Sequence, residues 1–324
     1  MATIKEVAAE AGVSVGTVSR VLNNSGYVGE ESRKKVENAI KKLSYTPNRI
    51  AQALNYKKTR MIALMVPDIK NPFFPEMTRA IEDVALSQGY TVMLCNSDQD
   101  PVKEAEYLNA FQLNYVDGII LATHTLDIHK WMETTIPIVS LDRVSEQLLP
   151  SITSHNYDGA KKAVQLLVEK GAKNIAHIKG PEHVNPVIER HNGFVDQAND
   201  LQLPYVIGHS DFELESAEEV AFAFYENNPN VDGIFCSNDT IAIGFLKTAL
   251  KLGKKVPEDL QIIGFDGITF GKMIYPEIST IAQPIYEMGK TAAELLIKLI
   301  NNENVEQTYF KLPIEVLERG TTRK

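Results

Sequence analysis

From residue 61 onward, apolar runs of strand length alternate with amphipathic segments of helix length, and no other feature of the chain restricts its fold as much. Strands buried on both faces read as continuous apolar runs, and strands separated by helices pair in parallel, so the pattern predicts α/β architecture with parallel sheets. The strand candidates are Met61 to Val66, Thr91 to Cys95, Gly118 to Ala122, Ile138 to Leu141, Ile175 to Ile178, Gly233 to Cys236 and Gln261 to Phe265. An internal echo points further. Val116-Asp117-Gly118-Ile119-Ile120 recurs as Val231-Asp232-Gly233-Ile234-Phe235, each before a strand, and with the matching alternation on both sides it predicts two similarly built lobes. Ligands of open α/β sheets bind beyond the carboxyl ends of strands, so the residues just after these runs are the ones to inspect.

The first 60 residues follow another plan. They carry 11 Lys/Arg against 5 Asp/Glu, whereas the rest of the 324-residue chain carries 22 against 37. Attraction to a phosphate backbone is therefore concentrated in a basic head, and the acidic remainder repels DNA and favours solubility. Thr3 with Glu6 has the spacing of a capping box, and Ile4, Val7, Ala8 and Ala11 form one apolar stripe. Gly12 suits a turn. Ser14 is placed to cap a second helix in which Val15, Val18, Val21 and Leu22 are spaced to face inward, with Gly16, Thr17, Ser19 and Arg20 outside. A third helix is expected from Ser32 to Leu43. Pro47 interrupts, Asn48 to Leu54 has helical spacing with little apolar surface, and Lys57 to Arg60 reads as a linker.

Several function classes find no support. The chain has no run of about 20 apolar residues, and its N-terminus lacks the order of a signal peptide, so a cytoplasmic location is expected and a membrane partner is not. Cys95 and Cys236 each end an apolar run, without CxxC or metal-ligand spacing, and are read as buried structural thiols. Gly289-Lys290-Thr291 looks like the end of a phosphate loop, but Pro284 stands where that motif needs glycine. GxSxG, HExxH and GxGxxG are absent, the histidines show no ligand pairing, and His191 beside Arg190 is a candidate pocket residue. Neither an enzyme nor a cofactor or metal site is expected.

The segments TIKEVAAEAGVSVGTVSRVLN, YTPNRIAQAL, NPFF and ERGTT, in this order and spacing, resemble the lactose/galactose repressor (LacI/GalR) family over essentially the whole chain. Within it the residues look most like ribose operon repressors, with catabolite control proteins similar over much of the same length. The resemblance implies a helix-turn-helix head over residues 1–46, a hinge helix and linker over 47–60, and a two-lobed sensor like the periplasmic sugar-binding proteins over 61–324. It also implies a homodimer meeting a pseudo-palindromic operator in double-stranded DNA. Val15, Gly16 and Arg20 would face bases in the major groove; a guanidinium can bond guanine O6 and N7 together, and Val15 offers apolar contact. Ser14, at the helix N-terminus, with Thr17, Ser19 and Asn23 suits phosphate contacts. Leu54 matches the leucine that wedges into the minor groove at the operator centre. Gln52 departs from the arginine that many relatives carry, with Arg49 close by.

In the sensor, the residues that follow strands suit a polyol. Asn71, Phe73 and Phe74 follow the first strand, although Asn and Pro72 also make a good helix start. Asp142 and Arg143 follow IVSL, and Arg190 follows the loop after IAHI. Asn238 follows GIFC, Phe265 and Asp266 end QIIGFD, and Gln283 follows STIA. With Phe212, these resemble one by one the ribose-contacting residues of ribose-binding proteins, which implies a small sugar effector, ribose or a phosphorylated relative. A competing reading is a global catabolite regulator answering to a phosphorylated partner protein. Such a regulator needs no complete sugar constellation. A transport binding protein fits neither the basic head nor the N-terminus.

Overall fold

A computed structural model describes residues 2–22, 25–45, 59–113, 116–123, 125, 127–142 and 148–324. The chain divides into two compact units, Met1–Thr59 and Arg60–Lys324.

The first unit is built from α1 (Ile4–Ala11), α2 (Val15–Leu22) and α3 (Glu30–Lys42). Thr3 and Glu6 close the capping box reciprocally, and Gly12 ends α1 at φ 64°, a conformation that costs an L side chain strain. Ser14 Oγ accepts from Thr17 N at 3.1 Å and so caps α2. Val7, Ala8, Ala11, Val18, Val21, Val36 and Ala39 make the small core. Val15 does not join them. It is 41% exposed, because the first residue of α2 projects past the edge of so small a core, and Leu22 is only half-buried. The third helix starts two residues earlier than the expected Ser32, at Glu30 and Glu31, whose charges suit a helix N-terminus. The weak helix from Asn48 to Leu54 lies outside the described residues.

The second unit is two α/β lobes. Lobe 1 holds β1 (Met61–Val66), β2 (Thr91–Asn96), β3 (Gly118–Leu121), β4 (Ile138–Leu141), β5 (Ser151–Ser154) and β11 (Tyr309–Leu312), in the order β11-β5-β4-β3-β1-β2, all parallel. Lobe 2 holds β6 (Ile175–Lys179), β7 (Tyr205–His209), β8 (Gly233–Cys236), β9 (Gln261–Asp266), β10 (Ser279–Ala282) and β12 (Glu315–Leu317), in the order β12-β10-β9-β8-β6-β7, with only β12 antiparallel. Helices α4 (Phe73–Ser87), α5 (Pro101–Leu113), α6 (Ile128–Met132) and α12 (Ile285–Ile300) cover lobe 1; α7 (Asn156–Glu169), α8 (Asn185–Asp200), α9 (Leu214–Asn227), α10 (Asp239–Lys251) and α11 (Phe270–Met273) belong to lobe 2. Among the described residues the chain passes between lobes three times, at 154–156, 282–285 and 312–315.

The sequence echo has a structural cause. Asp117 Oδ2 accepts from Arg60 N ahead of β1, and Asp232 accepts from Lys173 N and Asn174 N ahead of β6. The glycine that follows each aspartate makes room for a close neighbour: a Cβ on Gly118 would lie 2.8 Å from Ile300, and one on Gly233 2.8 Å from Ala172. Gly289, inside α12, is likewise a packing residue, since a Cβ there would meet the Met77 carbonyl oxygen of α4 at 2.6 Å. Both cysteines are buried free thiols, and burial pushes Cys95 up to about 11. No helix among the described residues is long and apolar enough to cross a membrane.

Candidate sugar-binding cleft and DNA-facing helix

Strand order reverses between β1 and β3 in lobe 1 and between β6 and β8 in lobe 2, so each sheet opens a crevice at its carboxyl edge. A cleft at these edges is lined by Asn71, Phe73, Phe74 and Asp142 from lobe 1 and by Val184, Pro186, Arg190, Phe212, Asn238 and Asp266 from lobe 2. The polar groups converge: Asp142, Arg190, Asn238 and Asp266 are all buried. Arg143, like Asn23, Arg49 and Leu54, lies outside the described residues. A larger groove of about 430 Å³ adjoins the cleft through Asn71 and Phe212. It is mainly apolar, whereas the polar groups converge on the smaller cleft. The space enclosed there is about 20 Å³. That is little more than a water molecule needs.

The lining residues are held from behind by a closed ring of hydrogen bonds and one ion pair through two chain crossings. Ser154 Oγ donates to Gln283 Oε1 at 2.6 Å, and Gln283 Nε2 donates to Asp266 Oδ1 at 2.7 Å. Arg190 Nη1 lies 3.4 Å from the same Asp266 oxygen, and Arg190 Nε donates to Asn156 Oδ1 at 2.8 Å. Asn156 Nδ2 completes the ring on the Ser154 carbonyl at 3.3 Å. Arg190 Nη1 also donates to the Ser237 carbonyl at 2.6 Å, and the guanidinium carbon sits 3.7 Å from the centroid of the Phe265 ring. A fork of five donors stacked and bonded in this way has one orientation, with Nη2 outside these bonds.

Phe265 and Gln283 are therefore placed differently from the other candidates. Neither lines the cleft: Phe265 is a buried platform beneath Arg190, and Gln283 ties a crossing to Asp266. Five residues with no motif of their own join the site, Ser154, Asn156 and Ser237 behind it and Val184 and Pro186 in its wall. His191 instead stacks on the buried His177, 5.7 Å between centroids.

Backbone geometry aims the polar groups. Asn71 Oδ1 accepts from Phe73 N and Asn238 Oδ1 from Ile241 N, so each asparagine turns its carbonyl to a helix start and keeps its amide N–H donors out of the cap. Asp142 and Asp266 have φ of 68° and 106°, left-handed values that cost an L residue about 1–3 kcal/mol. Phe73 and Phe74 meet edge to face at 5.3 Å and are buried. The cleft thus offers carboxylate acceptors, guanidinium and amide donors and aromatic walls, the combination a ring bearing hydroxyls and C–H faces needs.

In the first unit, Ser14, Val15, Gly16 and Arg20 are exposed on α2, and Thr17 and Ser19 are half-buried at its side. Val18 and Val21 anchor the opposite face in the core, so the helix presents one continuous outer surface.

Residues 3–48 match the family described as bacterial regulatory proteins, lacI family, and residues 59–319 match periplasmic binding proteins and sugar binding domain of LacI family. The chain is 44% identical to the ribose operon repressor of Halalkalibacterium halodurans, over 100% of this chain and 98% of that protein. A LacI family transcriptional regulator from Enterococcus faecium, solved with bound ribose, is 30% identical, with a TM-score of 0.74 over 81% of this chain and 98% of that one. The lac repressor dimer bound to operator and an anti-inducer superposes with a TM-score of 0.91 at 25% identity, covering 100% of this chain and 99% of that one.

Proposed function

The chain belongs to the LacI family of bacterial regulatory proteins, and from that premise we propose that it is a DNA-binding repressor of a sugar-utilisation operon whose effector is a pentose of the ribose type. The observation that carries the effector reading is the convergence of Asn71, Asp142, Arg190, Asn238 and Asp266, from both lobes, on one cleft walled by Phe73 and Phe74. The names of the H. halodurans relative and of the ribose-bound neighbour support the same sugar. Residues 1–46 act as the operator-reading head, 47–60 as hinge and linker, and 61–324 as sensor and dimerisation domain. Ser14, Thr17, Ser19 and Asn23 position the head on phosphates, and Val15, Gly16 and Arg20 face base edges. Arg49 and Leu54 serve the hinge. The operator-bound lac repressor dimer and the two-fold symmetry of such sites support dimerisation.

Effector binding works by differential affinity: a sugar bonded to both lobes favours the lobe arrangement that satisfies all its hydroxyls, and this shifts operator affinity by the same free energy. Calorimetric titration of the full chain with pentoses, hexoses and their phosphates tests the reading. D-ribose or its phosphate is expected to bind and hexoses are not; binding of hexoses alone, or of no sugar, overturns it. Operator binding measured in gel shifts should weaken steeply with salt, as counterion release requires, and a core starting at Met61 should keep sugar binding and lose the operator.

A further inference from the structure

Asp239, the first residue of α10, is fully buried and is not part of the cleft lining. Its Oδ2 accepts two successive backbone donors, Gly267 N and Ile268 N, each at 2.8 Å. Its Oδ1 accepts from Thr280 Oγ1 at 2.6 Å. The neighbouring chain is shaped around this carboxyl, since a Cβ on Gly264 would come within 2.2 Å of Oδ1. Gly267, at φ 81°, could carry no side chain either, because a Cβ there would meet Ala282 Cβ at 2.6 Å.

The turn held in this way begins at Asp266 and ends on the other lobe. Asp266 points its carboxyl group at Arg190 and Gln283 from a backbone φ of 106°. Ile268, two residues on, is buried in the hydrophobic core of lobe 1, and Thr269 N donates to Glu76 Oε1 of α4 at 2.9 Å. Four consecutive residues thus run from the cleft of lobe 2 to the core of lobe 1, and among the described residues Asp239 is the lobe 2 side chain bonded to the middle of this run. A left-handed aspartate is a minority conformation that persists only where its surroundings over-determine it, and here the bond from Gln283 N to the Asp266 carbonyl on one side and the two N–H bonds to Asp239 on the other share that task.

We propose that Asp239 is a positioning residue for effector recognition: through the turn Asp266–Thr269 it fixes the Asp266 carboxylate in the cleft and seats the same turn on lobe 1. The proposal rests on the reading of the cleft as the sugar site. Burial, followed by the neighbouring Asp266 carboxylate, pushes the Asp239 carboxyl up to about 8, so near neutral pH the group is largely protonated. In that form one oxygen still accepts both N–H groups, and the bond between Oδ1 and Thr280 Oγ1 is kept with its donor reversed, the carboxyl O–H donating to the hydroxyl oxygen. An asparagine reproduces the same three bonds, with Oδ1 as acceptor and Nδ2 as donor.

The experiment compares the full-length parent with Asp239→Ala, Asp239→Leu and Asp239→Asn, reading D-ribose affinity by calorimetry and amide hydrogen exchange over residues 265–270 without ligand. Asp239→Ala should weaken D-ribose at least ten-fold and speed exchange of the turn at least ten-fold, and Asp239→Asn should stay within about three-fold of the parent on both; Asp239→Leu, which keeps the volume and loses the hydrogen bonds, should behave like Asp239→Ala, an outcome that loss of packing alone would not produce. Should Asp239→Ala fail to fold, Thr280→Val, which removes one partner of the carboxyl, is read in its place with the same direction of change expected. Parent-like affinity in the alanine, leucine or valine variant, or an asparagine variant as weak as alanine, overturns the proposal. A parent that takes up no D-ribose overturns the sugar reading instead, and parent-like exchange in Asp239→Ala then still overturns the anchoring role.

Discussion

Replacing Arg190 by lysine keeps a positive charge in the cleft and removes the planar fork, which makes it a sharp test of the site. The parent side chain bonds Asn156 Oδ1 at 2.8 Å and the Ser237 carbonyl at 2.6 Å, lies 3.4 Å from Asp266 and stacks on Phe265. An ammonium on a flexible stem can satisfy some of these groups but not all, and each buried acceptor left unbonded costs about 1–3 kcal/mol. With one acceptor orphaned, the sensor should melt roughly 2–12 °C lower, at about 2–4 °C per kcal/mol for a domain of this size. The effector loses more than the fold does. If Nη2 donates to sugar hydroxyls, the loss of one or two charge-assisted bonds of about 1.5–3 kcal/mol each raises Kd from about ten-fold to more than about ten-thousand-fold. Calorimetry with D-ribose and thermal melting with and without the sugar separate the two effects. A variant that binds D-ribose as tightly as the parent would refute the view that the fork geometry of Arg190, rather than its charge, does the recognising.

Two further outcomes follow from other parts of the molecule. His177 is fully buried, its Nδ1 against the Phe235 carbonyl at 3.0 Å, and burial pushes it from 6.5 down to about 3. The neutral ring is thus favoured in the folded state, so the contribution is complete above pH 6.5 and is lost as pH falls from there toward 3; by pH 4.5 the loss amounts to about 3 kcal/mol, and His177→Phe should flatten the parent's loss of urea stability between pH 7 and 4.5, parallel profiles being the refuting result. Arg20→Ala should weaken operator binding by about 1–3 kcal/mol and relax preference at one base pair of each half-site in gel shifts, whereas uniform loss across operator variants would mark Arg20 as a phosphate contact.

Legibility of the fold in the sequence tracked burial on both faces. β1, β3, β4, β6, β8 and β9 lie inside their sheets with nearly every residue buried and stand out as apolar runs, while β2, at a sheet edge and partly exposed, stands out by its composition alone. β5 (SITS) and β10 (STIA) are also largely buried, yet their hydroxyl residues break the pattern. Those hydroxyls are tolerated because distant partners satisfy them: Ser279 Oγ bonds Thr322 Oγ1 and accepts from Arg319 N, and Ser154 Oγ donates to Gln283. β7, at a sheet edge, is too exposed to read as a buried run. A partner 40 or 129 residues away leaves no local signal, which is why the ERGTT segment is recognisable as a motif while its work, stitching β10 to the chain terminus, is not.

The cleft divides along the same line. Asn71, Asp142, Asn238 and Asp266 are legible because each ends a strand or follows one within five residues at a carboxyl edge. Ser154, Asn156 and Ser237 are not, since their contacts with the site run through Gln283 or Arg190, for Ser154 and Asn156 at a chain crossing and for Ser237 through its backbone carbonyl. The same contacts explain why Phe265 and Gln283, adjacent in sequence to strand ends like the others, stand behind the cleft instead of in it. The backbone adds an independent sign of purpose. At φ 68° and 106°, Asp142 and Asp266 each carry strain of about 1–3 kcal/mol that glycine would relieve. Glycine would also delete a carboxyl group, and in each lobe that group ends a strand at the cleft and is buried there. Strain kept at matching places in both lobes, where the relieving residue would remove an acceptor, is the pattern expected of side chains retained for what they bind rather than for the fold they stabilise.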